Sequence, residues 1–223
     1  MRSLVAKPDL TEQTHQAIRD AIMSGDLAPC APLAQEDLAE QLGVSRQPIS
    51  HALALLKREG LIVDRGRKGQ MVAPIEADRL LNLYQVRGTL DRLAARLTAL
   101  RTVDKNGLES ELTTLLKQGE AACSDANVNA MVEADLAFHK LLHQRSGNVE
   151  ITKTAEPLWL HMVRSMRVVL QDVEGRPTIW EEHQEIADAV LSGDPDKAGE
   201  LAARHAEMAG EATFKRLQQL TND

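Results

Sequence analysis

The chain has 223 residues, 43% of them hydrophobic, 26% charged and only 2% aromatic, which is long enough for one large domain or two small ones with a real core. A core short of aromatics must be built from Leu, Ala, Val, Ile and Met, a mix that favours helices. No run approaches the roughly 18 apolar residues of a membrane span, and "MRSLVAKPDLTEQ" has no apolar stretch suited to a signal peptide, so a soluble cytoplasmic protein is expected. Cys30 and Cys123 lie far apart without a C-x-x-C partner, which argues against a disulfide framework or a thiolate zinc site; both read as small apolar residues.

The net charge of −7 argues against a nucleic-acid partner only until it is mapped. Residues 1–74 hold nine basic and nine acidic side chains, and residues 75–223 hold 17 basic and 24 acidic ones, so the whole acidic excess lies in the second part. Between Arg46 and Lys68 six basic residues face two acidic ones, a local patch of the kind that follows phosphates. The pattern changes at "MVAPIEADRL". The expected organisation is a first domain over 1–74, a linker over 75–78 and an all-α domain over 79–223, without repeats or low-complexity segments.

In chain order, "DLTEQTHQAIRDAIMSGDL" spaces Ile18, Ala21 and Ile22 along one helical face and stops near Ser24-Gly25. A shorter helix fits "QEDLAEQL". Gly43 then supplies a turn that needs a positive φ, Ser45 is placed to cap the next helix by accepting a backbone N–H, and Pro48 falls in its first turn. Helix, tight turn, helix is the helix-turn-helix arrangement, whose second helix reads DNA from its N-terminal end. Here that end offers Ser45, Arg46, Gln47, Ser50 and His51, with Ala52, Leu53, Leu55 and Leu56 packing inward. Arg pairs with guanine or phosphate, Gln with adenine, and Ser with either donor or acceptor edges. "LIVDRGRKGQMV" follows as two short strands, Leu61–Val63 and Met71–Val72, around a basic turn. In this wing, Arg65, Arg67, Lys68 and the backbone at Gly66 or Gly69 can track a phosphate strand or enter a minor groove.

The stretch "LAPCAPLAQEDLAEQLGVSRQPISHALALLKREGLIVDRGRKGQMV" closely resembles the DNA-binding domain of the GntR family of bacterial transcription regulators, through L-x-P-G, L-A, V-S-R-x-P-V-R-x-A-L and a G-L wing. The resemblance implies a winged helix-turn-helix. It departs at Cys30, where Gly is usual, and at Ser50-His51, where Arg-Glu is commonest and an Arg that often contacts DNA is lost.

The second part reads as six helices, beginning with "DRLLNLYQVRGTLDRLAARLTAL" and its expected inward face of Leu80, Leu83, Val86, Leu90 and Leu97. The others are "LESELTTLLKQGEAA", "VNAMVEADLAFHKLLHQRS", "EITKTAEPLWLHMVRSMRVVLQ", "TIWEEHQEIADAVLSG" and "DPDKAGELAARHAEMAGEATFKRLQQL". Asp135 and His139 stand one helical turn apart. His183 lies nine residues before the turn at Ser192-Gly193-Asp194-Pro195 and His205 ten after it. At about 1.5 Å per residue both sit about 15 Å from that turn, level across an antiparallel pair. If the α-helical faces converge, one carboxylate and three imidazoles form a set suited to Zn, Ni or Mn. His143 is the rival ligand, and His161 reads as structural.

These positions are similar to the metal-binding pattern of the helical effector (FCD) domain in the FadR-like branch of the same family, D-x-x-x-H, E-H and a later H. The resemblance implies that Asp135, His139, His183 and His205 hold a divalent metal, zinc first, with an open position for water or a carboxylate effector. It also implies that Arg87 of "YQVR" and Asn148 after "SG" line an effector pocket. Asp91 replaces the Glu usual after that Arg and either orients Arg87 or forms a surface ion pair. Arg164 and Arg167 are candidates for extra positive charge in the pocket.

The function expected is a DNA-binding transcription regulator, a repressor by the family's habit, binding palindromic DNA as a homodimer and responding to a small anionic effector near the metal. It is not expected to be an enzyme. Two alternatives are a metal-dependent hydrolase, for which Glu182 and Glu185 flank His183 but nothing marks either as catalytic, and an architectural DNA binder with a structural metal.

Overall fold

The computed structural model describes residues 10–101, 105–170 and 178–222. Asp9 at the start of the first expected helix, Gln171 at the end of the fourth bundle helix, and most of the stretch searched for a signal peptide lie outside the described residues. Two compact units, Met1–Ile75 and Glu76–Asp223, are treated separately. Among the described residues there are nine α-helices and one three-stranded sheet, and no helix is long and apolar enough to cross a membrane.

In the first unit, α1 (Leu10–Ser24) buries Thr14, Ile18 and Ile22, a stripe with a residue at every fourth position. Helix α2 (Gln35–Leu42) ends on Gly43 at φ 64°, where Gly43 N–H donates to Glu40 O and Val44 N–H donates to Ala39 O at 3.0 Å. This is the Schellman closure that a residue without Cβ makes cheap. Helix α3 (Arg46–Arg58) buries Pro48, Ile49, Ala52, Leu53 and Leu56. Leu55, expected inside, is 37% exposed, because two residues from Leu53 on a helix point to the opposite side. Ser45 occupies the N-cap position, but its side chain makes no capping hydrogen bond, contrary to the sequence reading; its hydroxyl is not spent on the helix.

The wing strands are β2 (Ile62–Asp64) and β3 (Gln70–Val72), each shifted by a residue at one or both ends from expectation, with a 3₁₀ turn at Gly66–Lys68 between them. A further strand, β1 (Pro32–Leu33), pairs antiparallel with β3, Leu33 opposite Gln70, giving the order β1-β3-β2. Two residues carry no readable alternation, and the edge position tolerates Pro32. Cys30, just before β1, is exposed and not a buried apolar residue. It holds φ 65° while its N–H donates to Val72 O at 3.1 Å.

The second unit is a bundle of α4 (Ala77–Leu100), α5 (Lys105–Ser124), α6 (Val128–Arg145), α7 (Val149–Val169), α8 (Thr178–Ser192) and α9 (Pro195–Asn222). Helix α4 opens within the 75–78 stretch read as a linker. Asn127 caps α6 by accepting from Ala130 N–H, Asp194 accepts from Lys197 N–H at the start of α9, and Pro195 sits where its missing N–H is not needed. Helices α4 and α9 run antiparallel at close range: a Cβ at Gly88 would touch Ala206, and one at Gly210 would fall 2.6 Å from the Tyr84 Cβ.

The inward face of α4 is not the expected one. It consists of Leu80, Tyr84, Arg87, Gly88, Asp91, Ala94, Ala95, Thr98 and Ala99. Of the expected face, Leu80 alone is buried; Val86 is 48% exposed and Leu83, Leu90 and Leu97 are half-buried. Close approach to α9 selects small residues, and a polar centre takes the remaining positions, so the large aliphatics turn outward. Leu83, Val86, Leu90, Leu93, Leu97 and Leu100 form an outer seam at alternating three- and four-residue spacing, in which Leu90 also packs inward against the cluster of Tyr84, Ala155, Trp159 and Met162.

Replacing Cys30 with Gly relieves a left-handed backbone conformation that costs an L-residue about 1 kcal/mol. Thermal unfolding of Cys30→Gly is expected to report a more stable first unit; an unchanged or lower midpoint would contradict the strain.

Candidate metal centre and DNA-reading surface

Three bundle helices bring four donors to one polar centre. Helix α6 contributes Asp135 and His139 from adjacent turns, α8 contributes His183 and α9 contributes His205, all buried. One donor atom from each lies within 4.8 Å of the others. His139 Nε2 and His183 Nε2 face each other at 3.2 Å, with Asp135 Oδ1 3.4 Å from the second and 3.8 Å from the first. Ligands of a tetrahedral ion with bonds of about 2.0–2.1 Å stand about 3.3 Å apart, so these separations fit a small divalent metal. The His183 and His205 rings lie 4.5 Å apart. Phe138 meets His183 edge-on and Trp180 lies over it. Gly119 admits that indole, because a Cβ there would overlap the Trp180 ring.

The hydrogen bonds around the centre fix part of its proton placement. His205 Nδ1 donates to Glu182 Oε2 at 2.7 Å, and His139 Nδ1 lies 3.3 Å from Asp91 Oδ2. A carboxylate only accepts, so His205 Nδ1 carries its proton and leaves Nε2 as a lone pair, while the Asp91 carboxylate stands near His139 Nδ1 without a hydrogen bond. The imidazoles and the Asp135 carboxylate share a dry space, with Asp135 Oδ2 and His183 Nδ1 left without hydrogen-bond partners among the described residues. Burial favours the neutral form and pushes His139 well below the usual imidazole range; it lowers His183 too. Burial works against the Asp135 carboxylate, but His183, Arg87 and His205 together hold it at about 2. Neutral imidazoles and an ionised carboxylate are the ligand forms a metal needs.

Arg87 and Asp91 sit beside this set, both 2% exposed, with Arg87 Nε donating to Asp91 Oδ2 at 2.9 Å. This removes the surface-pair alternative: the pair is buried. The guanidinium lies 4.7 Å from the Trp159 ring and 5.6 Å from Tyr84, and its Nη2 has no hydrogen-bond partner among the described residues. His143, the rival ligand, donates instead to Asp91 Oδ1 at 2.6 Å and falls outside the four-donor group. Asn148 is half-buried and caps α7, its Oδ1 accepting from Glu150 N–H. Arg164 is buried, whereas Arg167 donates to Asn129 Oδ1. Of the two carboxylates a hydrolase could use, Glu182 is bonded to His205 and Glu185 pairs with Arg204.

In the first unit, Ser45, Arg46, Gln47, Ser50 and His51 are exposed along one end and side of α3, and Gly66, Arg67, Lys68 and Gly69 are exposed on the wing, with Arg65 half-buried. A groove of about 720 Å³ runs between helix and wing, lined by Arg46, Ser50, Lys57, Lys68 and Gly69 among others. Glu36 and Lys57 also line it and were missed as site residues. Glu36 pairs with Arg46 at 3.0 Å and Lys57 with Asp64 at 2.6 Å. Asp91 and Glu182 were likewise missed as neighbours of His139 and His205; the readable signals were the Arg87–Asp91 spacing and the Glu182-His183 adjacency.

A winged helix-turn-helix carried with a helical bundle that encloses a ligand-grade polar centre defines a transcription regulator with an effector-binding domain. The chain belongs to the GntR family of bacterial regulatory proteins: residues 10–72 match that family's DNA-binding model and residues 82–208 match the FCD domain. It is 30% identical over 182 residues to an uncharacterized HTH-type transcriptional regulator in an unstable DNA locus of Streptomyces ambofaciens, covering 79% of this chain and 73% of that one. It is also 30% identical over 169 residues to the Nta operon transcriptional regulator of Aminobacter aminovorans, covering 76% and 78%. The structure of E. coli McbR/YncC shares the fold with a TM-score of 0.77 at 20% identity, over 95% of this chain and 100% of that one. These families and relatives are regulators, not enzymes.

His161 on α7 accepts from Arg79 of α4 at 3.1 Å. Burial, then Arg79 and Arg164, bring its pKa down from 6.5 to about 4. A depressed imidazole means that the unfolded chain takes up the proton first, so stability is whole above pH 6.5 and is lost as pH falls toward 4. The melting temperature of His161→Gln is expected to fall less steeply than wild type over that window; parallel curves would contradict the assignment.

Proposed function

We propose that this GntR-family regulator is a cytoplasmic repressor that grips a palindromic operator as a homodimer, and that a small anion, a carboxylate foremost, loosens the grip by binding beside a divalent metal. The observation that carries this reading is the unpartnered Nη2 of buried Arg87 next to four converging donors. A buried cation with a free donor is costly unless a ligand completes it. Asp135, His139, His183 and His205 would hold the metal, zinc first, with nickel or manganese compatible with the same nitrogen-and-oxygen set. When bound, the metal supplies an open position for a carboxylate oxygen, while Arg87 and, by family resemblance, Asn148 hold the rest of the effector.

Operator reading falls to Ser45, Arg46, Gln47, Ser50 and His51 on α3 and to Arg65, Arg67, Lys68 and Gly69 on the wing. Ser50 is too short to replace the family's usual Arg, which shifts weight onto Arg46 and the wing. The outer seam of α4 supports the dimer: six aliphatic residues at coiled-coil spacing, with Val86, Leu93 and Leu100 between 41% and 57% exposed, suit a two-fold copy of themselves. The effector acts only through its preference for one dimer arrangement over the other.

Native mass spectrometry of gently purified protein tests the sensor half. A dimer with one metal per chain is expected, with the metal lost in His183→Ala and His205→Ala and the dimer lost in Leu93→Glu. Wild-type protein still metal-free after incubation with zinc, nickel and manganese would sink the metal reading. On duplexes selected from fragmented DNA, Arg46→Ala is expected to cost about 1–3 kcal/mol and to relax sequence preference. Arg67→Ala is expected to weaken all sequences alike; unchanged affinity in both variants would remove the DNA-contact assignment.

A further inference from the structure

Asp91 is engaged from three directions. It accepts hydrogen bonds from Arg87 Nε at 2.9 Å and His143 Nε2 at 2.6 Å, and His139 Nδ1 stands 3.3 Å from its Oδ2. It lies on the Nδ1 side of His139, across the ring from the atom that faces His183. We propose that Asp91 is the positioning residue of the metal centre: it keeps His139 with Nε2 toward the other donors and ties that same imidazole to Arg87.

Packing alone cannot do this. The His205 ring stacks on His139 at 5.2 Å and Phe138 meets it edge-on at 5.5 Å. Such contacts hold the plane of an imidazole but do not decide which nitrogen bears the proton or points inward. Only a partner at Nδ1 distinguishes the two states, and an acceptor there leaves Nε2 as a lone pair. Nor does Asp91 serve Arg87 alone. A carboxylate devoted to a guanidinium takes two parallel N–H bonds, whereas here Arg87 contributes Nε and leaves Nη2 without a partner. The remaining capacity of Asp91 goes to His143 by a hydrogen bond, and its Oδ2 faces His139 Nδ1, one turn away on α6, at 3.3 Å. An i, i+4 pair on α4 thus meets an i, i+4 pair on α6, so metal affinity and the aim of Arg87 depend on one carboxylate.

This inference rests on the metal reading of the four donors, and the experiment separates the two. Removing Asp91 alone would strand a buried guanidinium and threaten the fold, so the comparison is Arg87→Met against Arg87→Met/Asp91→Asn, both checked by circular dichroism, beside wild type and His143→Gln. Zinc affinity is measured by competition with a chromophoric chelator, and coordination is followed by the visible absorption of the cobalt-loaded proteins. Zinc binding by the double variant is expected to be about 10- to 100-fold weaker than by Arg87→Met, the usual range for loss of a ligand's hydrogen-bond partner. Its cobalt bands should shift, while His143→Gln leaves both readouts unchanged. Equal affinity and spectra in Arg87→Met and the double variant would overturn the inference and reduce Asp91 to a counter-ion. A loss in His143→Gln as large as that of the double variant would overturn it by routing the effect through His143. A wild type that binds no zinc would remove the metal reading and the inference with it.

Discussion

A guanidinium and a carboxylate side by side in a dry bundle impose a condition on every helix near them. Taking Arg87 and Asp91 out of water is costly, and their attraction offsets that cost only if the remaining donors and acceptors are met. Helix α6 meets part of the condition with His139 and His143, and α7 meets part with the Trp159 ring over the guanidinium. The histidines in turn bring Asp135, His183 and His205 into range. The convergence of α4, α6, α8 and α9 is therefore tied to the satisfaction of one buried ion pair as well as to apolar packing.

The same condition accounts for the distribution of apolar residues. Cluster Ala95, Leu108, Leu112, Phe138, Trp180 and Ile186 forms a conventional core on one flank of the polar centre, and Tyr84, Ala155, Trp159 and Met162 close another. Helix α4 contributes Ala95 and Ala99 to the first and Tyr84 to the second, with Leu90 packed against it, which leaves Val86, Leu93 and Leu100 on the outside.

How much of this was legible in the sequence follows from what each signal depends on. Gly43 and Pro48 act through their own backbone chemistry, so the helix-turn-helix could be read from them, whereas Ser45 marked the N-cap position without making the capping bond read for it. The convergence of His183 with His205 was readable because helical rise and a tight turn fix their level. The inward face of α4 was not readable, because hydrophobic periodicity scores Leu as inside and Arg or Asp as outside, and here α9 and the polar centre reverse both. Leu55 failed for a simpler reason: adjacency to Leu53 and Leu56 disguised a position on the wrong side of the stripe. Strand β1 exists only because β3 offers it a partner, and Asp91 acquires its role from residues 48 and 52 positions away on another helix.

The two ion pairs inside the DNA-facing groove bear on how the molecule senses its medium. Arg46 with Glu36, and Lys57 with Asp64, are cations already matched by carboxylates of the same unit. A phosphate or base edge that claims either one displaces a fixed protein charge before it displaces mobile ions. Fewer counterions are then released than the count of basic side chains implies, and the dependence of binding on ionic strength is correspondingly shallow. With DNA in this groove, the two pairs would act as a non-diffusing electrolyte that tempers adhesion to polyanions and gives more weight to geometric fit at the base edges.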